Sequence, residues 1–551
     1  MNTTRIALYA VVILLLTAHA AAGQFWQWSR GAGGPGLDEA WAIAANSDGA
    51  YITGYFENTA HFDDISLSSV GSLDVFVARY SPEGDIVWVK QGGSPDRDSG
   101  TAIGVDASGS IYVGGVFSNS IDFGETSLTS AGRFDLFVVK YDREGEVLWA
   151  LRGGGKDRDG CTALAVSPDA DVYIGGYFQG TATLGSQTLA SPDVQSGFVA
   201  KLSPNGVVEW VRIIRASVHV GSQAIAIDDD GNVYVAGHFE GTGEWDMTTQ
   251  MTSEGTDGFI AKYAADGDVL WIRSVGGPGH DRIDGIAFDG NGSLYVAGTF
   301  AETATFGDGT LTSLGEDDGF MAKYDTDGAL TWVRQIGGAD WIAAADVSVD
   351  PSDQAVVAGH FQGIATLQGV ALESAGDYDV FVATYDSSGD VLWAEHAGGS
   401  DFDQVGRISI DDEGGIYISG AYSSSATFGA ETLTAAGYYD VYIAKLAGND
   451  VFAEPSPKPV RGGITLSSVW PSPASSSAEA VVTASEGVHT VQVDVIDVLG
   501  RRAAAIFSGP LPPNTPMSMR VDTAQLSPGL YFLRARSELG MSAVRFIVVG
   551  Y

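Results

Sequence analysis

The sequence predicts an all-β protein: a seven-bladed β-propeller closed by its own N-terminal strand, followed by a small antiparallel β-sandwich. Three observations predict it. A stretch of about 61 residues recurs seven times, and a period of that length decides architecture before any local reading. Within each copy, short alternating apolar/polar runs are bounded by Asp/Asn-Gly turns, the pattern of half-buried strands joined by hairpins. The array opens with a strand that its last copy lacks.

The repeat shows as columns. Trp28, Trp88, Trp149, Trp210, Trp271, Trp332 and Trp393 form one, and Gly54, Gly115, Gly176, Gly237, Gly298, Gly359 and Gly420 another. The first copy is one residue short, in the turn at 46–51. Four main strands per copy have two faces to bury, so neighbouring copies must stack, either as an open solenoid or as a closed ring of blades. The ends decide. Residues 25–34 supply a lone Trp strand, and nothing like it follows the last aromatic strand, DVYIAKL. Closure pairs these two and removes ragged sheet edges, which are aggregation hazards.

Two recurrent carboxylate columns read as structural. Asn46, Asp106, Ser167, Asp228, Asp289, Asp350 and Asp411 end the first strands, where such side chains bond the backbone two residues on. Asp74, Asp135, Ser196, Asp257, Asp318, Asp379 and Asp440 precede the third strands, and a recurrent Lys in those strands is expected to pair with a neighbouring blade's carboxylate.

The ends of the chain differ in kind. Residues 1–23 read as a signal peptide: one base, Arg5, no acid, an apolar run at 6–16 and small residues around Ala18-His19-Ala20. Eleven apolar residues are too few for a span, which takes about 20. The propeller is assigned to 24–450, a Pro-rich linker to 451–463, and the sandwich to 464–551. The single Cys161 excludes an internal disulfide, so core burial must supply stability. The formal net charge of −40 excludes nucleic acid and anionic lipid as partners. Most of that charge reads as a solubilising coat.

The repeat resembles the bacterial β-propeller repeat family known as SBBP, through AIAID…GNVYVAG.F at 224–239 and GG…D…D.F.AKY…G…W at 276–332. That resemblance covers about residues 25–450 and implies the fold, with no particular chemistry. In the second domain, VWPSPASS, VDVIDVLGRR, LSPGLYFLRA and VRFIVV resemble the C-terminal sorting domain of the type IX secretion system. Pro471, Pro473, Asp497, Gly500, Arg501, Leu526, Gly529, Tyr531 and Arg545 fit that family's pattern, with Ser472 in place of the usual Asn. The resemblance implies type IX machinery as a partner, export across a bacterial outer membrane, and release or surface attachment.

Enzyme signatures are absent: no HExxH, GxSxG, phosphate loop or CxxC. His238 and His360 share a column whose other members vary, as a surface position does. One constellation invites chemistry. Asp38, Asp98, Asp159, Asp281 and Asp403 precede first strands, with Asp96, Asp157, Asp340 and Asp401 two residues earlier. Gathered at one channel mouth they would offer oxygen ligands to Ca²⁺ or a cationic group; alternatively, each caps its own Gly-rich turn. Val220 and Ile342 interrupt the column. Trp41 and Trp341 lie near the same rim, and two indoles on an uneven face suit a glycan or a protein ligand. The function expected is therefore a secreted or cell-surface binding or scaffold propeller without catalysis. The competing reading is an extracellular polysaccharide hydrolase or lyase that uses channel-mouth carboxylates. A self-associating surface-layer component is a third.

Overall fold

The computed structural model describes residues 26–245 and 250–447, and toward the C-terminus 464–466, 477–484, 490–497, 501–511, 517–523, 526, 529–537 and 540–548. The signal peptide, the linker, Pro471, Pro473 and Gly500 lie outside the described residues. The described residues are all-β, without a helix. They divide into two compact units, Met1–Gly448 and Asn449–Tyr551.

The first unit is built from seven four-stranded modules. In the first, the strands run in order Glu39–Asn46, Gly49–Phe56, Asp74–Tyr80, Ile86–Gly92. A side hairpin, Thr59–Phe62 with Ile65–Ser68, projects between its second and third strands. The last module takes its fourth strand from the other end of the chain. Trp26–Ala32 pairs antiparallel with Asp440–Leu446, placing Trp28 opposite Lys445 and Arg30 opposite Ile443. The first strands lie each against the next, and the first strand of the last module, Asp403–Ile410, lies against Glu39–Asn46. One core cluster accordingly joins Trp28, Ile52 and Phe76 to Tyr417 and Ile443.

The repeated sentence has a mechanical explanation at each joint. Six of the Trp indoles, from Trp28 to Trp332, reach the Gly-containing turn of the next module. Trp28 Nε1 donates to Pro82 O at 3.0 Å, Trp149 to Pro204 O at 3.1 Å and Trp271 to Thr326 O at 2.9 Å. The turn must carry Gly twice over: Gly84 has φ 88°, and a Cβ there would meet the Trp28 ring at 2.7 Å.

The turn-ending carboxylates close their own turns, as when Asp106 Oδ1 accepts from Ser108 N and Ser110 N, both at 2.9 Å. The third-strand Lys pairs with that same carboxylate, not with a neighbour's. Lys140 lies 3.7 Å from Asp106, Lys262 3.4 Å from Asp228 and Lys445 3.5 Å from Asp411. The reason is register. Lys140 sits opposite Tyr112, its ammonium 4.6 Å over that ring, and the Tyr112 hydroxyl donates to Asp106.

In the second unit a three-stranded sheet (Ile464–Leu466, Ser477–Ala484, Met517–Asp522) shares a core with a four-stranded one. The latter is ordered Arg502–Gly509, Val491–Asp497, Gly529–Ser537, Gly540–Val548. Arg502–Gly509 forms one edge of that sheet. Asp497 and Tyr531 face each other across the central pair, and Gly529 pairs with Val548.

Trp28→Ala removes a buried indole and the closing strand's bond to Pro82, and should cost about 3–5 kcal/mol. Denaturant melts of the purified protein, with Gln27→Ala as control, measure it.

Candidate functional site

Every first strand carries one extra residue. The register slips between Ala40 and Ala42, Gly100 and Ala102, Cys161 and Ala163, Ser222 and Ala224, Ile283 and Gly285, Ala344 and Asp346, and Val405 and Arg407. The residue skipped is a β-bulge, which re-aims a side chain out of the ladder. The bulge also explains the glycine column. A Cβ on Gly54 would meet Glu39 O at 1.8 Å, and one on Gly298 would meet Arg282 O at 2.1 Å.

The seven bulged residues are Trp41, Thr101, Thr162, Gln223, Asp284, Ala345 and Gly406, and all seven line one central cavity of about 590 Å³. Repetition thus places one residue per module at the centre, and this sequence makes nearly every one different. Glu39, Arg282, Trp341, Tyr378, Phe402 and Gln404 complete the walls. Trp41 is 47 % exposed. An aromatic arc runs from Trp341 to Tyr378, from Tyr378 to Phe402 and on to Tyr439, at ring separations of 5.5, 5.2 and 5.6 Å. The sequence-predicted Trp41 and Trp341 therefore line the same cavity.

Arg407 forms the floor. It sits in a column otherwise occupied by Ala42, Ala102, Ala163, Ala224, Gly285 and Asp346. Its guanidinium donates to the carbonyls of Asp284, Ala345 (3.1 Å) and Gln223 (3.0 Å), and lies 3.9 Å from Asp346. It also lines a smaller cavity of about 230 Å³ beneath. The sequence reading missed this pair; the signal was a small-residue column broken by one acid and one base. The cavity's carboxylates are engaged as well. Glu39 accepts from the Tyr55 hydroxyl, Trp41 Nε1 and Gln404 Nε2, and Asp284 pairs with Arg282 at 2.9 Å. Burial raises the pKa of both acids above the usual carboxylate range.

The proposed carboxylate ring does not form at this mouth. Asp38, Asp98, Asp159, Asp281 and Asp403 are buried, each at its own joint. Asp38 takes the amides of Gly34 (2.7 Å) and Glu57 (3.0 Å), and Asp281 those of Gly277 (2.8 Å) and Ala301 (3.2 Å). They cap the loops that lead into the first strands. Asp96 is taken by Asn119, Asp157 lies against Gly180, and Asp340 and Asp401 are exposed. Among the described residues no three His, Cys, Asp or Glu side chains assemble as a metal-binding group, so the residues do not fit the Ca²⁺ ring.

What the two acid columns build instead is a set of buried carboxyl pairs, among them Asp440 with Asp38 and Asp257 with Asp281. The Cβ direction of Gly33 points at both members of the first pair, and that of Gly276 at both of the second. At five joints the third-strand acid (Asp74, Asp135, Asp257, Asp379 or Asp440) has a buried Oδ1 without a hydrogen-bond partner. Burial, with the partner's charge adding, pushes Asp38, Asp98 and Asp257 up to about 7 and Asp403 up to about 8. The two interruptions are compensated. Opposite Val220 stands Ser196, bonded to Ser191 at 2.7 Å. Opposite Ile342, Asp318 itself takes the Gly338 amide at 3.2 Å.

His238 and His360 are half-buried, and burial holds both down to about 4, hence neutral. His360 lies 5.2 Å from Trp341.

Residues 468–549 match the family described as the secretion system C-terminal sorting domain, and the protein is accordingly exported, to the cell surface or beyond it. Among the described residues no helix is long and apolar enough to cross a membrane. The chain is similar to an uncharacterized WD repeat-containing protein, L264, of Acanthamoeba polyphaga mimivirus, at 22% identity over 63% of this chain and 32% of that protein. It is also similar to the regulatory protein FlaEY of Caulobacter vibrioides, at 27% identity over 50% of this chain and 30% of that protein. It spans about a third of the length of these curated relatives. Among solved structures, a DUF4221 family member from Bacteroides vulgatus matches at TM-score 0.30 and 10% identity, over 63% of this chain and 93% of that one.

The carboxyl pairs set a pH dependence. Their folded-state pKa lies above the unfolded value of about 3.9, so their contribution is complete below that value and is lost as pH rises through 6–8. Melting temperature should fall between pH 5 and pH 8. Asp257→Asn, which supplies a neutral donor opposite Asp281, should raise it at pH 8 by about 2 °C and flatten the slope; calorimetry across that range measures both.

Proposed function

We propose that this protein is an exported, non-enzymatic binding protein whose first unit is a seven-bladed β-propeller of the SBBP kind, over about residues 24–450, and whose central cavity receives a glycan. The observation that carries this is the cavity itself: about 590 Å³, with one residue from each module at its wall and the indole and phenol rings of Trp41, Trp341 and Tyr378 in its lining. Pockets of this size with a few convergent polar groups are the usual form of small-ligand sites. Aromatic faces receive the C–H faces of sugar rings, while Gln223, Gln404 and Thr101 offer groups for hydroxyls. The mimivirus relative is described as having WD repeats, which is consistent with a propeller. The sorting-domain match supports type IX machinery as the partner in export.

The hydrolase reading has less support. Glu39 is already held by three donors and Asp284 by Arg282, so neither is poised to exchange a proton with a glycosidic oxygen.

Glycan-array binding of the purified protein tests the reading. Trp41→Ala and Trp341→Ala should each weaken the bound glycan about ten-fold without altering the melting temperature; unchanged affinity in both would place binding elsewhere. Truncation after residue 447 should leave the propeller unit in the periplasm, read by cell fractionation.

A further inference from the structure

The residue just before each loop acid forms another column on the same face: Leu37, Arg97, Arg158, His219, His280, Trp341 and Phe402. Backbone bridges from Arg97 to Leu73, Arg158 to Phe134 and Phe402 to Tyr378 hold it against the start of the third strand. The face is therefore divided. Modules six and seven present Trp341 and Phe402, whereas modules two and three present arginines.

Arg97 and Arg158 are exposed, and together they line a cavity of about 390 Å³ with Tyr55, Phe134 and Tyr177. This cavity shares Trp41, Thr101 and Thr162 with the central one, so the two form one continuous groove with the exposed indole of Trp41 at their junction. Arg158 stands 5.9 Å over the Phe134 ring. The charges of both arginines are uncompensated. In a chain with 69 acids, no ion pair among the described residues includes either one, although Arg143, Arg152, Arg212, Arg282 and Arg407 each pair with an acid. The acids adjacent in sequence are engaged elsewhere: Asp98 and Asp159 are buried in their joints, Asp96 holds Asn119 and Asp157 lies against Gly180.

We propose that this groove binds a linear anionic polysaccharide, with a sugar ring over Trp41 and its carboxylate or sulfate groups on Arg97 and Arg158. The proposal rests on the glycan-binding reading and adds the charge of the ligand. Planar guanidinium groups beside aromatic faces match an anionic group carried on a ring. A folded acidic protein presents a convex surface that two adjoining concavities do not fit. With −40 on the whole chain, attraction must be local and is screened within about 10 Å at 0.1 M salt.

The test is affinity electrophoresis and calorimetry of the purified protein with polygalacturonate, dextran sulfate, neutral glucomannan and polyglutamate. One or both anionic polysaccharides should bind at least ten-fold more tightly than glucomannan, and more weakly as salt rises. Which of the two binds distinguishes uronate from sulfate ester. Arg97→Gln/Arg158→Gln should reduce anionic binding about ten-fold with an unchanged melting temperature. Equal binding of glucomannan, unaffected by the double variant, would overturn this inference and leave the glycan-binding reading standing. Polyglutamate binding as tightly as the polysaccharides would overturn it in favour of an acidic peptide. If no polysaccharide of either kind binds, both readings fall.

Discussion

The pairing of Trp26–Ala32 with Asp440–Leu446 is the constraint on which the rest of the first unit depends. It joins the two ends of a repeat that spans over 400 residues and gives Glu39–Asn46 a neighbour on each side. Without it, Tyr417 and Ile443 would lose the aromatic cover of Trp28, and two sheet edges would face water. The contact joins the two ends of the repeat, so its closure entropy is met only after the other modules are in place.

Between the modules, the joints combine a rigid element with a titrating one. Indole-to-turn bonds act at any pH. Paired carboxyls act while they retain protons, because two buried acids that face each other cannot both ionise without a large desolvation cost. The replacement of one joint's pair by Ser196 and Val220, and of another's acid by Ile342, fits that account. Each change removes an acid from the pair and leaves the remaining polar group with a partner. A column built for cation binding would have no reason to interchange with Val and Ile.

Strand content, the Trp and Gly columns and the partner of the first strand were legible in the sequence because repetition averages out local ambiguity. A turn recurring at the same place in copy after copy outweighs any single misleading residue. The acid column was legible as a column, but its direction was not. Whether Asp38 points to a channel or to the Gly34 amide depends on a loop conformation that spacing does not encode. The bulge was hidden for a related reason. It inserts one residue into a strand whose alternation continues on either side, so Gln223 and Asp284 read as ordinary alternating positions. Only Gly54 and its equivalents hint that a carbonyl presses on the neighbouring strand.

The bulge is also what lets a symmetric scaffold carry an asymmetric site. Residues that clamp modules together are repeated, since every joint poses the same geometric problem. The bulged residue is outside the repeated clamp: it leaves the ladder and enters the centre, where Thr101 and Thr162 reach the backbone of the next module's first strand and Gly406 brings no side chain at all. That position is free to be Trp in one module, Asp in another and Gly in a third without altering the frame. Variation gathered there, within a repeat held nearly constant elsewhere, is the feature on which the proposed binding centre rests. The same division explains why Arg407 stands apart from its column. Once five modules offer only Ala or Gly there, one guanidinium has room to reach three carbonyls across the centre, closing the floor of the cavity that the bulges open.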